Sequence, residues 1–415
     1  MGPGRRPTGE DFSRSDGAMN ICYTITRYWP AVGGAEVHTH ELVKRLSERH
    51  RVKVVAQLKA ACTDWLRDIT MYAPSEPEVY SDDRAEVYIV TTTELERKVL
   101  GPLVRMTDQI GALWYVTSPL LRRTFRGKVE EVARGCDLIH NVRAGPQHLS
   151  YASWDAAKRL KVPFVFTPIP HIDGEGNVFK AFSKLYKRAD ALIAMTEYER
   201  RWLIEQGARP EKVHTLGVGP VLTEDYDGES FKRKFNISGR MVLFVGQKYR
   251  YKGYLEILKA SSKVWEEFPD TYFVFAGPRT RESVEIFSLY TDPRIVEVGP
   301  LSEREKTDAF AACDIFCMPS TRESFGGVFI EAWAMEKPVI AGNIPCEREL
   351  IEDGVDGFLV EQDPEEVATK ILQLLKDDEL RRRMGRRGKE KVLAKYTWEK
   401  ITSKMEEIYR KLVGR

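Results

Sequence analysis

Short apolar runs alternate with longer amphipathic stretches along this chain, and the alternation starts twice. The first series runs through residues 20–26 (NICYTIT), 51–56 (RVKVVA), 86–91 (EVYIVT), 137–142 (DLIHNV), 163–167 (PFVFT), 191–195 (ALIAM) and 212–216 (KVHTL). The second runs through 241–245 (MVLFV), 271–276 (TYFVFA), 294–298 (RIVEV), 314–319 (DIFCMP) and 338–341 (PVIA). Apolar runs this short, with helical periodicity between them, predict buried strands joined by helices, the pattern of parallel α/β sheets. Helices are expected at 196–206, 254–268, 302–312, 328–335 and 398–413, among others. Ser302 and Glu305 have the spacing of a capping box, which gives the 302–312 helix a structural role. Residues 62–83 and 222–240 are polar and read as irregular connections.

The chain has 415 residues, too many for one ordinary core and suited to two domains. The expected division is a disordered Gly-rich tail at 1–18, a first domain at 19–220, a second at 221–396 and a terminal helix at 397–415. A net charge of +2 implies no nucleic-acid partner. No apolar run reaches membrane-spanning length and no signal peptide is evident, so the expected location is cytoplasmic. Residues 95–132 mix basic side chains (Arg97, Lys98, Arg105) with apolar ones (Trp114, Tyr115, Leu120). That mixture fits a helical excursion with a solvated basic face. It also fits a peripheral contact with an anionic membrane surface, the inner face of the membrane for a cytoplasmic protein. The six scattered cysteines read as buried thiols, without a metal or disulfide role.

The most informative stretch is 318–342, MPSTRESFGGVFIEAWAMEKPVIAG. A buried strand feeds a polar loop, the loop tightens at Gly326 and Gly327, and a helix opens. A helix start carries unpaired N–H groups and partial positive charge, so it can hold a phosphate. Glu323 precedes the turn and Glu331 lies on the second helical turn. Carboxylates beside a phosphate site suit a ligand that also offers hydroxyls, which points to a nucleotide-sugar. A second Gly turn, Gly33-Gly34, follows the first strand. Lys248, Arg250 and Lys252 cluster before the 254–268 helix, where cations can neutralise a diphosphate.

The spacing Glu323 to Glu331 within PSTRESFGGVFIEAWAMEKPVIAG resembles the E-x7-E signature of retaining family-4 glycosyltransferases of the GT-B fold. Lys252-Gly253 matches the family's G-R-x(n)-K-G segment, with Gln247 in place of its Arg; Lys248 or Arg250 is expected to supply the missing cation. Val298-Gly299-Pro300-Leu301 matches V-G-x-[LV]. The segment Gly217-Val218-Gly219-Pro220 diverges from N-G-V-D. The resemblance implies two doubly wound Rossmann-like domains facing across a cleft, with the terminal helix crossing back to the first. It also implies transfer of a hexose from a nucleotide-diphosphate sugar, UDP by family habit, to an unknown acceptor hydroxyl with retention. No metal or other cofactor is expected.

Carried over residue by residue, the catalytic positions are His171, Glu323 and Lys252. The donor positions are Gly34, Gln247, Lys248, Arg250, Lys252, Val298, Leu301, Ser324, Phe325, Gly326, Gly327, Val328 and Glu331. Tyr28, Trp29, Gly33, His140 and Arg143 are assigned to the acceptor side. His171 follows a strand in a Pro-stiffened loop, TPIPH, two residues longer than the family's form. Two other outcomes stay open: a degenerate nucleotide-sugar-binding subunit, and a GT-B relative such as a sugar-nucleotide epimerase.

Overall fold

The computed structural model describes residues 17–31, 33–59, 67–73, 76–143, 147–170, 172 and 182–414. Its fourteen strands among the described residues form two sheets. The first contains β1 (Asn20–Arg27), β2 (Arg51–Leu58), β3 (Glu78–Asp82), β4 (Ala85–Ile89), β5 (Leu138–Val142), β6 (Phe164–Thr167), β7 (Ala191–Ala194) and β8 (Val213–Thr215). Their spatial order is β3-β4-β2-β1-β5-β6-β7-β8. The second contains β9 (Arg240–Val245), β10 (Thr271–Ala276), β11 (Ile295–Val298), β12 (Ile315–Met318), β13 (Val339–Gly342) and β14 (Gly357–Val360), in the order β11-β10-β9-β12-β13-β14. The second order is that of a doubly wound nucleotide-binding sheet, and the connections leave in opposite directions at β9 and β12. The equivalent reversal in the first sheet lies between β1 and β5.

Parallel strands covered on both faces bury nearly every side chain, and β5, β6, β7, β12 and β13 are buried at all positions. Among the described residues, β3 pairs antiparallel with β4, and a turn in which Asp83 takes φ 50° closes the hairpin. This hairpin corrects the expectation that 62–83 is irregular throughout. The alternation of exposed and half-buried residues in Glu78–Asp82 marks an edge strand too polar to stand out in the sequence. The segment 222–240 likewise contains a helix, Gly228–Lys234, capped by the Asp227 side chain on Ser230 N. The expected capping box of the Glu303–Ala312 helix is present in both directions between Ser302 and Glu305.

Two compact units divide the chain: residues 1–165 with 406–415, and residues 166–405. The last helix, Trp398–Val413, therefore contributes its final turns to the N-terminal unit. There the Tyr409 hydroxyl lies 2.6 Å from the Tyr23 hydroxyl of β1 and also bonds to Nδ1 of His140 on β5. Glu406 pairs with Arg49 at 3.0 Å and His50 at 3.3 Å. Tyr23, His140 and Tyr409 are all fully buried, so the Tyr409 hydroxyl satisfies polar atoms that have no access to water. Residues 1–16 lie outside the described residues.

Replacing Tyr409 by Phe removes the hydroxyl shared by Tyr23 and His140. Leaving buried polar groups unpaired costs about 1–3 kcal/mol. The Tyr409→Phe variant is expected to unfold at lower denaturant by that amount in an equilibrium urea titration.

Candidate active site

The C-terminal unit brings its chemistry to the carboxyl ends of β9 and β12, the reversal point of its sheet. After β9 the chain makes a tight turn, Arg250–Lys252, and enters the helix Tyr254–Glu267 through Gly253. Gly253 has φ 80°, and a Cβ there would stand 2.5 Å from the Pro319 carbonyl oxygen beyond β12. Only glycine allows this approach. The two loops are joined by further bonds at one carbonyl. Tyr251 O accepts from Thr321 N at 2.8 Å, from Ser320 Oγ at 3.2 Å and from Gln362 Nε2 at 3.1 Å.

That junction fixes Lys252 against Glu323: the Lys252 ammonium bonds directly to Glu323 Oε1. Burial pulls the Lys252 pKa down, but the Glu323 carboxylate more than offsets it and holds the ammonium above its ordinary value. Cys346 Sγ donates to the backbone carbonyl of Glu323 at 3.2 Å and steadies the loop from the other side. The helix Gly327–Ala334 starts at Gly326, which has φ 80° and no side-chain cap. Its first N–H groups are therefore left for an anion or for water. A Cβ on Gly326 would meet the Phe329 ring at 2.6 Å.

Glu331, on this helix, is 6% exposed. Burial pushes its carboxyl up, and Lys306 at 2.5 Å opposes the shift. Lys306 escaped the sequence reading, which gave its helix a purely structural role. The only signal was a cation on the second turn after the capping box, in a helix otherwise rich in charge.

The other expected donor positions are distributed unevenly. Ser324 Oγ donates to the Pro170 carbonyl at 3.1 Å, and the Phe325 ring packs edge-on against Tyr396 at 5.6 Å. Gly327 and Val328 are half-buried at the helix start, and Leu301 is half-buried after β11. Gln247 is exposed. The expectation that Lys248 supplies a phosphate cation is corrected by its surroundings. Its ammonium is fully buried, donating to the carbonyls of Gly277 at 2.6 Å and Val298 at 3.0 Å, with Glu297 at 3.5 Å. Burial lowers its pKa, against the pull of Glu297. The same bonds occupy the Val298 carbonyl. Arg250 is exposed and pairs with Glu282 at 3.0 Å. His171 lies outside the described residues.

In the N-terminal unit, Gly33 is the extended residue preceding the helix Gly34–Leu46, and Gly34 has nothing within 4 Å of a would-be Cβ. Arg27 and Glu36 pair across this loop at 2.8 Å. Tyr28 and His140 do not offer themselves to an acceptor. Tyr28 is fully buried with its hydroxyl on Asp82 at 2.7 Å, and burial pushes its pKa up. His140 is spent on Tyr409, and burial holds it neutral, with a pKa of about 3. His140 is buried because both faces of β5 are covered, and Tyr28 because its hydroxyl is drawn to Asp82. Trp29 remains half-buried, stacked on His40 at 4.4 Å, and Arg143 is half-buried beyond β5. Among the described residues, His40, Asp82 and Asp83 form the one group whose ligand atoms lie within 4.8 Å of one another; Asp82 already bonds Tyr28 and His40.

Two family models match this chain. The glycosyl transferase 4-like domain covers residues 33–219, and the glycosyl transferases group 1 model covers residues 226–391. The chain is a family-4 glycosyltransferase of the GT-B fold. It is 25% identical over 394 residues to an uncharacterized glycosyltransferase of Methanocaldococcus jannaschii, covering 93% of this chain and 96% of that one. It is 27% identical over 246 residues to the phosphatidyl-myo-inositol mannosyltransferase of Mycobacterium tuberculosis, covering 55% of this chain and 62% of that protein, a little under two thirds of its length. Among solved structures, Anabaena HepE in complex with UDP and glucose superposes with a TM-score of 0.72 at 20% identity, over 95% of this chain and all of that one. Sucrose-phosphate synthase from Thermosynechococcus elongatus gives 0.71 at 18%, over 95% of this chain and 99% of that one. Both are likenesses of fold.

The Lys306–Glu331 pair yields a signed test. A carboxyl whose folded pKa is raised keeps its proton longer than in the unfolded chain, so stability falls as pH rises from the ordinary carboxylate range. Lys306→Ala removes the opposing charge. It is expected to cost about 1–3 kcal/mol at neutral pH and less in acid, where Glu331 is protonated, as read by denaturant titrations at both pH values.

Proposed function

We propose that the protein transfers a hexose from a UDP-sugar to an acceptor hydroxyl with retention of anomeric configuration. The observation that carries this reading is the Lys252–Glu323 pair beside the uncapped Gly326 helix start, with Glu331 on the same helix. In this reading Lys252 leaves Glu323 for the donor diphosphate and neutralises the charge that grows as the glycosidic bond breaks. The amides of Gly327 and Val328 receive anionic oxygens, and Glu331 accepts from the ribose hydroxyls. Glu323, freed of its partner, accepts from hydroxyls of the donor sugar. His171, Gly34, Trp29 and Arg143 are the remaining candidates for the sugar and acceptor side. No metal is required, because the ammonium and helix amides supply the positive charge. The complexes of HepE with UDP, with UDP-glucose and with UDP and glucose support the choice of base.

Thermal stabilisation by UDP, GDP, ADP and their sugar conjugates, without added metal, tests the reading. A saturating ligand at about 100 times its Kd adds about 2.7 kcal/mol. Stabilisation by UDP and UDP-sugars, lost in Lys252→Ala and Glu331→Ala, is the expected result. Lys252→Ala should also slow sugar transfer by about 10²–10³. No stabilisation by any nucleotide would overturn the assignment, and release of an epimerised free sugar would favour the epimerase.

A second reading concerns location. On the helix Glu94–Gln109, Leu95, Val99, Pro102 and Met106 are all exposed and fall on one stripe, with exposed Lys98 and Arg105 beside it. Tyr115, on the next helix, Trp114–Ala133, is 82% exposed. An apolar stripe flanked by cations suits the surface of an anionic bilayer. No helix among the described residues is long and apolar enough to cross one. The double variant Leu95→Asp, Tyr115→Asp is expected to lose most co-sedimentation with phosphatidylglycerol vesicles while keeping UDP stabilisation; unchanged sedimentation would remove this reading.

A further inference from the structure

Beside the Lys252–Glu323 pair lies a third carboxyl that the donor reading leaves unused. Glu347 sits on the short helix Pro345–Leu350 and is fully buried. Among the described residues it alone has both carboxylate oxygens buried and without a hydrogen bond of normal geometry. The preceding residue, Cys346, holds the Glu323 backbone carbonyl at 3.2 Å. The charged groups that act on Glu347 are Lys252, from the turn after β9, and Glu323, from the loop after β12. Burial pushes its carboxyl well above the ordinary range. The Glu323 charge pushes it further, and Lys252 and the Gly342 amide pull back without restoring it.

A buried carboxyl held by no hydrogen bond better than a weak one from the Gly342 amide is costly, and an ionised one far more so, unless it gains a hydrogen bond in some other state of the protein. The donor reading supplies that state. When a diphosphate draws Lys252 away, Glu323 is left as an unpaired, poorly hydrated carboxylate. Glu347 is one residue along from Cys346, which already holds the Glu323 backbone, and as a neutral carboxyl it has an O–H to offer. We propose that Glu347 is a positioning residue of the donor site: its O–H donates to the Glu323 carboxylate once a bound diphosphate has taken Lys252. One proton is then held between two carboxyls, as in other close carboxyl pairs. Glu323 keeps its charge and a fixed orientation as an acceptor for the sugar hydroxyls. No proton leaves the site on binding.

This inference rests on the donor reading, and its test separates the two. The affinity of the protein for UDP-glucose is measured by calorimetry without metal, across a pH series that starts in the ordinary carboxylate range and rises through neutrality into alkali, because the Glu347 carboxyl is pushed well above that range. The sign follows from the charge. As pH rises, an ionised Glu347 stands beside Glu323, repels the diphosphate and has no O–H to give, so wild-type affinity falls. Glu347→Gln keeps a donor and cannot ionise. It should bind like the wild type at the acid end and show a flat profile. Glu347→Leu, with neither, should bind about five- to tenfold more weakly throughout. A Gln variant that keeps the wild-type slope, or that binds as weakly as the Leu variant, overturns the proposal while leaving the donor reading intact. A wild type that does not bind UDP-glucose at any pH brings down both. The Gln variant carries the decision if the Leu variant fails to fold.

Discussion

The Lys252–Glu323 ion pair is the contact on which the C-terminal unit's chemistry turns. It exists only because two loops leave the sheet at the one place where neighbouring connections diverge, after β9 and β12. Gly253 takes a left-handed conformation and packs against the Pro319 carbonyl, and the Tyr251 carbonyl gathers Ser320, Thr321 and Gln362 to hold the second loop still. Each constraint is local, yet all serve one distance. The sheet supplies the parting, the glycine supplies the approach and the carbonyl supplies the rigidity.

The same pair explains how so polar a site is tolerated without a ligand. Glu323 and Glu331 are each largely removed from water, and each has a lysine against it, Lys252 and Lys306. Removing a charge from water costs several kcal/mol unless a partner is close, so the ligand-free site has to neutralise itself. In the donor reading proposed above, a diphosphate entering there would exchange one ion pair for another and need not create charge stabilisation from nothing. That exchange would lower the affinity that phosphate contacts alone would give and make donor geometry decisive, because only a ligand that also satisfies the released carboxylates would recover the loss.

Much of this was legible in the sequence. The apolar runs located β9 to β13, five of the six strands of the second sheet, and the double glycine with its two glutamates located the helix start. What could not be read was direction. Lys248 and Lys252 lie four residues apart, both before a helix, and one points into carbonyls while the other meets Glu323. The difference arises because Lys248 leaves β9 beside β10, whose strand-end carbonyl at Gly277 lies within reach, whereas Lys252 follows the turn toward β12. Lys306 was missed for the same reason: its partner is distant in sequence and the pairing depends on tertiary packing. The β3–β4 hairpin was missed because an exposed edge strand has no apolar signature.

The N-terminal unit shows how far resemblance alone can mislead about side chains. Tyr28 follows the end of β1 and His140 is the middle residue of β5, and both are fully buried. The Tyr409 hydroxyl from the last helix needs His140, and Asp82 needs Tyr28, so burial claims them for stability. A buried, neutral histidine already bonded to a tyrosine has no proton chemistry to offer near neutral pH. Of the residues assigned to the acceptor side, Trp29 and Arg143 are half-buried and keep part of their surface accessible, and the Glu94–Gln109 helix of the same unit carries the exposed apolar stripe. A stripe of apolar side chains beside cations is the surface that the proposed contact with an anionic bilayer would cover, since without such a cover Leu95 and Val99 stand in water.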